Sequence, residues 1–180
     1  MTGSTLRGFF VDGSLDSLRL EGMATTIYHL FEDSVYQGRN LVSGDTISMK
    51  FDNQDLDHIF VNGGSRGTYI PDSTNGEVDG PVTYSSEDIE YDILNEFMNL
   101  HGEADIKYTN VNLTAGFINM EWNNNLLKAI PQSKRDSTYD FLIPTMIEAE
   151  REPLKGDSMT YNMESRQGKV IKGKTKADDG

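Results

Sequence analysis

The sequence predicts an all-β domain, a curved sandwich or jellyroll made by stacking short antiparallel hairpins. Two repeated skeletons, and the turn chemistry between them, carry that prediction. The first skeleton reads apolar, any, Gly, any, small, three residues, Tyr. It occurs as Leu20-Glu21-Gly22-Met23-Ala24 ending at Tyr28, as Val61-Asn62-Gly63-Gly64-Ser65 ending at Tyr69, and as Leu100-His101-Gly102-Glu103-Ala104 ending at Tyr108. Each copy alternates apolar or small side chains with polar ones, as a strand with one buried and one wet face does. The second skeleton is Val42, Gly44, Ile47, Met49, Phe51, repeated as Leu113, Ala115, Ile118, Met120, Trp122 and as Leu154, Gly156, Met159, Tyr161, Met163 with the same internal spacing. In all three copies the apolar parity changes between the small residue and the next apolar one, which a bulge or bend at that point produces.

In chain order, Phe9-Phe10-Val11 is strand-like almost from the start, and residues 14–28 form the first long strand signal, with Leu15, Leu18 and Leu20 leading into the skeleton. Residues 31–40 are mixed and polar and read as a connection. Asp52-Asn53-Gln54-Asp55 is a hairpin loop between Phe51 and Ile59, and Ser165-Arg166-Gln167-Gly168 is another between Met163 and Val170. Pro71 to Gly76 and Asp79-Gly80-Pro81 are breakers around a short excursion. Val82-Thr83-Tyr84 and residues 89–93 alternate again. A helix competes there, since Ile89, Ile93 and Phe97 lie four apart behind a Ser85 and Asp88 capping pattern. The strand is preferred because its neighbours are strands and Asn95-Glu96 makes a turn. Residues 131–153 carry Pro131, Pro144 and Pro153 and a polar stretch, and read as an insertion or long connection with a short helix at 145–151. That leaves ten to twelve short strands in a single domain spanning residues 1–180.

Composition bounds the function. A chain of 180 residues that is 36% hydrophobic can bury a core. Its 16 Lys and Arg against 29 Asp and Glu give a net charge of −13, which argues against a nucleic-acid partner and against simple adhesion to an anionic membrane. With no cysteine, disulfides and thiolate metal sites are excluded within the chain. No apolar run reaches the ~18 residues of a membrane helix, and Met1-Thr2-Gly3-Ser4-Thr5 lacks the basic start and apolar stretch of a leader. Both ends look cut, so the sequence is expected to be a fragment of a longer chain whose leader lies outside it.

No catalytic constellation emerges. Gly63-Gly64-Ser65-Arg66-Gly67 matches a nucleophile-elbow pattern, which requires strand, sharp turn and helix. The next residues, Thr68-Tyr69-Ile70-Pro71, are strand and breaker instead, and Ser65 holds the repeat position of Ala24 and Ala104, so smallness explains it. His29, His58 and His101 are far apart with no partner at metal-ligand spacing, and His101 should face solvent. Asp52, Asp55 and Asp57 lack the spacing and glycine of a calcium loop. Neither a metal nor a cofactor is expected. Lys169, Lys172, Lys174 and Lys176 cluster near the end, where they protect an exposed sheet edge from pairing or meet a phosphate.

Both skeletons, the phrases Ser43-Gly44-Asp45-Thr46-Ile47 and Leu113-Thr114-Ala115, and the ending Gly156-Asp157-Ser158-Met159-Thr160-Tyr161-Asn162 with Gln167-Gly168-Lys169-Val170-Ile171 resemble the OstA-like (LptA/LptD) domain of bacterial lipopolysaccharide transport. The ending is most similar to the segment that closes the periplasmic domain of the outer-membrane member. The resemblance implies a periplasmic, outer-membrane-associated β-jellyroll, V-shaped in section, which holds lipid A acyl chains inside and leaves the sugars outside. It also implies end-to-end docking with other jellyrolls of the bridge through edge strands, and an outer-membrane barrel in cis or in trans. Barrel strands are absent from this sequence, and the 131–153 segment has no counterpart in the simple repeat.

Acyl burial is worth ~0.8 kcal/mol per methylene, or on the order of 10 kcal/mol for a dozen carbons, enough to outweigh screened repulsion between an acidic protein and a phosphorylated head group. The expected groove lining is Ile47, Met49, Phe51, Val61, Leu100, Ile106, Ile118, Met120, Trp122 and Tyr161. The same residues could equally fill a closed core. The expected activity is lipid carriage without catalysis. The alternative is a structural, adhesin-like sandwich or solenoid that contacts proteins through its edges, and a polysaccharide-active enzyme would need two carboxylates facing one cleft at about 5 to 10 Å.

Overall fold

The structure is a computed structural model of the whole chain and describes residues 1–32, 34–74, 80–133, 141–149 and 151–174. Its strands are β1 (Thr5–Val11), β2 (Ser14–Glu32), β3 (Val35–Asp52), β4 (Asp55–Pro71), β5 (Val82–Asp92), β6 (Phe97–Tyr108), β7 (Val111–Glu121), β8 (Leu126–Ile130), β9 (Gln132–Ser133), β10 (Phe141–Leu142), β11 (Thr145–Glu148), β12 (Leu154–Lys155), β13 (Ser158–Asn162) and β14 (Gln167–Ile171). Among the described residues there is no helix. Neighbours pair antiparallel in the order β1 to β8, then β13 and β14, while β11 joins β7 and β12. Short turns force this order: Asn53 and Gln54 both take positive φ, as a two-residue hairpin turn requires, and the Asn95-Glu96 turn closes β5 onto β6 with Glu96 at φ 56°.

The expected strands were short; six of the observed ones are long and folded in the middle. The register slips between Glu21 and Ala24, Ser43 and Thr46, Asn62 and Ser65, Ser85 and Asp88, and His101 and Ala104, so one corner line crosses the sheet from β2 to β7. On β2, β4 and β6 the corner is made by two consecutive left-handed residues, Gly22-Met23, Gly63-Gly64 and Gly102-Glu103. A glycine that adopts positive φ without steric cost leads each pair. On β3 and β7 a single extra residue makes the bend, and the apolar parity flips there. Both repeated skeletons therefore mark the same corner on alternating strands. A further bent strand, β5, carries the flip from Tyr84 and Ser86 to Ile89 and Tyr91.

Folding along that line yields two leaves. Leaf I holds β1, residues 14–21, 46–52, 55–62, 88–92, 97–101 and 117–121, and β8, β13 and β14; leaf II holds residues 24–32, 35–44, 65–71, 82–86, 104–108 and 111–115, with β11 and β12. The fold-back is sharp. Tyr84 and Tyr91 are seven residues apart on β5, about 23 Å on a straight strand, yet their ring centroids lie 6.4 Å apart. The buried apolar side chains of both leaves meet between them in one core, including Leu20, Ile59, Met98, Ile106 and Leu127.

Two expectations are corrected. Residues 31–40 are not a connection. Phe31 pairs with Tyr36 and Glu32 with Val35, because main-chain pairing along the leaf outweighs the polar composition of the segment. The helix at 145–151 is also absent: Thr145–Glu148 is strand β11, whose backbone pairs with residues 111–114 of β7 and fills the leaf II edge that β8, on leaf I, leaves open. The end of that expected helix at Glu150 and the 134–140 part of the insertion lie outside the described residues.

Candidate functional site

The tyrosines that end the first skeleton all sit in leaf II at one distance from the corner. The register sets Tyr28, Asn40, Tyr69, Val82, Tyr108 and Val111 side by side across successive strands. Their side chains point toward leaf I near the hairpin tips, where the V is widest. Between Tyr28, Leu30, Phe31, Tyr69 and Pro71 of leaf II and Leu56, Tyr91, Ile93, Phe97 and Trp122 of leaf I lies a cleft of ≈ 390 Å³. That volume is within the range of small-molecule pockets. The single tryptophan packs edge-on against Tyr69 across the opening, with ring centroids 5.1 Å apart.

The innermost cleft residues belong to a hydrogen-bonded polar group. Tyr91 Oη donates to Tyr84 Oη at 2.8 Å, Tyr84 Oη donates to Asn40 Oδ1 at 2.7 Å, and Asn40 Nδ2 donates to Tyr28 Oη at 2.8 Å. Tyr28 and Tyr91 are also in hydrogen-bond contact, and their rings meet edge to face at 5.7 Å. Burial raises all three phenols well above the ordinary tyrosine value, so they are neutral donors and acceptors at neutral pH. Tyr91 comes from leaf I and the other three from leaf II, so the group ties the leaves together beneath the cleft.

The leaf I lip is sewn together by its backbone. Ile93 N donates to Asp57 O at 2.9 Å, Trp122 N to Glu96 O at 2.9 Å and Met163 N to Asn125 O at 2.9 Å. Asp92 at this lip is buried. Burial alone would raise its carboxyl, but hydrogen bonds from the Asn95 side chain and backbone, with His58 beside it, hold it below the usual carboxylate range. His58 spans Asp57 at 2.8 Å and Asp92 at 3.4 Å. Among the described residues no three His, Asp or Glu side chains converge as metal ligands would.

Of the ten residues expected to line a groove, Ile47, Met49, Val61, Leu100, Ile106, Ile118, Met120 and Tyr161 face inward and are buried in the packed interior between the leaves. Phe51 is partly buried against that interior. Trp122 alone among the ten lines the cleft. Pattern reasoning missed Tyr28, Tyr69 and Tyr91, although the fixed Tyr of the first skeleton was the signal for the first two. Ser65 is buried, its hydroxyl shared between the Val61 carbonyl at 3.0 Å and the Glu87 carbonyl at 3.1 Å, which suits a corner residue rather than a nucleophile. His101 is partly exposed, beside Glu90 and against the Phe117 ring.

The ends of the sheet are unlike each other. Among the described residues β1 pairs only with β2, and every residue in it is exposed, Leu6, Phe9, Phe10 and Val11 included. Among the same residues β14 pairs only with β13 and carries Lys169; Lys172 beyond it is ion-paired with Asp157 at 2.8 Å, and Lys174 bridges to Lys155. Lys176 lies outside the described residues.

No family model matches the sequence, and none of the curated proteins compared with it does. Among solved structures the fold is similar to the crystal structure of LptH, the LptA-homologous periplasmic component of the conserved lipopolysaccharide transport device of Pseudomonas aeruginosa. The TM-score is 0.60 at 13% sequence identity, covering 81% of this chain and 91% of that one. The chain thus has the LptA-like β-jellyroll fold of the OstA-like transport proteins.

Proposed function

We propose that this chain carries lipopolysaccharide through the periplasm toward the outer membrane, holding lipid A acyl chains between its leaves and catalysing nothing. The observation that carries the proposal is the apolar cleft at the mouth of an LptA-like V, with aromatic and aliphatic walls from both leaves. Acyl chains gain ~0.8 kcal/mol per buried methylene, and a head group left outside the lips stays hydrated. Of the ten inward residues named from the sequence, Trp122 stands in the cleft wall and the others pack the interior beneath it. The free edges supply the partners: β1, exposed and apolar, and the lysine-bearing β14 each offer unpaired backbone for an added strand. Jellyrolls of a transport bridge, or the periplasmic end of an outer-membrane barrel protein such as LptD, would dock there.

A photo-crosslinking residue tests the reading. Placed at Leu30 or Ile93 in the cleft wall and irradiated with purified lipopolysaccharide, it traps the lipid, whereas placed at exposed Lys107 it does not. Crosslinks from Lys107 alone would sink the proposal. One observation favours a second reading, a scaffold that binds proteins only through its edges: eight of the ten expected lining residues are packed in a closed interior. In that case none of the three positions captures lipid, while disruption of β1 abolishes partner binding.

A further inference from the structure

We propose that the cleft takes one acyl chain at a time, and that the hydrogen-bonded floor made by Tyr28, Asn40, Tyr84 and Tyr91 limits how much of that chain is buried. The proposal rests on reading the cleft as an acyl site and adds its capacity. An apolar cavity of about 150 Å³ holds benzene, roughly 25 Å³ per carbon. On that scale the cleft's ≈ 390 Å³ accommodates on the order of 15 carbons, one chain and not several. Below Tyr28 and Tyr91 the interior is already filled by buried side chains. The two phenols bond to each other and, through Tyr84 and Asn40, close the floor with polar atoms that already have partners. A longer chain would have to break those bonds or leave its excess carbons in water, so added methylenes stop contributing at the floor.

The test uses lysophosphatidylcholines of 8 to 18 carbons, held below their micelle concentrations, and the fluorescence of Trp122, the single tryptophan. One molecule binds per protein, and affinity rises about fourfold per methylene before levelling off at about 15 carbons. Tyr28→Ala removes the ring and hydroxyl from the floor, so affinity keeps rising to 18 carbons. Leu56→Phe fills the leaf I wall without adding a tryptophan, so the plateau comes earlier. Cooperative thermal unfolding of each variant establishes that it folds, and Leu56→Phe carries the test if Tyr28→Ala does not. A continuous rise to 18 carbons in the unaltered protein, two bound molecules, or a plateau that stays put in the folded variants overturns the single-chain floor while leaving the acyl site standing. No fluorescence response to any chain length overturns the acyl site and the floor with it.

Discussion

Replacing Tyr91 by Phe should cost about 2 kcal/mol of stability, and the way that loss arises tests whether hydroxyls hold the leaves together. Tyr91 is 1% exposed, and its ring meets Tyr28 and Tyr84 edge to face. Phe keeps the ring and both aromatic contacts, so only the hydroxyl is lost. The bond to Tyr84 contributes about 1 kcal/mol, and leaving the buried Tyr84 oxygen without its donor costs about 1–3 kcal/mol more, partly offset because Phe carries no hydroxyl to desolvate. Urea titration is the assay. For a domain of this size the slope is near 2–3 kcal/mol/M, so the midpoint falls by about 0.7–1 M with the slope unchanged. In a double-mutant cycle with Tyr84→Phe the partners are in contact, and the double variant should be at least about 1 kcal/mol more stable than the sum of the singles. A midpoint within experimental error of the unaltered protein, or strict additivity in the cycle, would refute the inference that these hydroxyls tie leaf I to leaf II.

Gly67→Ala should destabilise by about 1–3 kcal/mol by overpacking, since the new methyl would lie 2.3 Å from the Tyr84 ring and that ring is held by its hydroxyl bonds; calorimetry reads the lower melting temperature. Met23→Gly should stabilise by up to about 1 kcal/mol, because Met23 holds φ 50° at the corner with an 85% exposed side chain, and relief of left-handed strain exceeds the added freedom of the unfolded chain; a lower urea midpoint would contradict it. Stability should fall at both pH extremes. The Asp92 carboxyl lies below its free value of 3.8, so its contribution is present above that value and is lost as pH falls through the lower, folded one. The buried phenols lie above their free value of 10.0, so their contribution is present below pH 10.0 and is lost as pH rises further. Asp92→Asn should flatten the acid limb only, measured as melting temperature against pH.

The fold class was legible because strand alternation and turn chemistry are local. The Asn53-Gln54 turn and the parity flips of β3 and β7 can be read from neighbouring residues alone. Strand length was not legible. At Gly44, Gly63 and Gly102 a sequence offers the same glycine for a break between strands as for a bulge within one, and only pairing with both neighbours decides that the strand continues. Thr145–Glu148 escaped for a related reason, since its partner is residues 111–114, more than thirty positions away, and four residues show no decisive period. The groove residues were chosen by parity, which identifies the inward face but carries no information on distance from the corner. That is why Ile47 and Leu100 were grouped with Trp122, although the first two are buried in the interior and the last lies at the mouth.

Distance from the corner explains why a cleft exists at all. Where the leaves join, the inward residues are Gly44, Ala24, Ser65, Ser86, Ala104 and Ala115; a methyl on Gly44 would come within 2.6 Å of Val61 on the opposite leaf, so nothing larger fits. Further out the gap is filled by Ile47, Ile89, Leu100, Ile106, Ile118 and Tyr84, and beyond them by Met49, Met98, Met120 and Tyr91. The side chains grow as the wedge opens, which keeps the interior at close-packed density. At the row of Tyr28, Tyr69 and Tyr108 the chain is already using some of its largest residues, and past it Leu30, Phe31, Leu56, Ile93, Phe97 and Trp122 line a wider gap that they leave unfilled. The taper outruns the available side-chain volume there, so the V is sealed near its corner and unfilled at its mouth. A ligand that supplies apolar volume would complete the wedge where the sequence stops filling it.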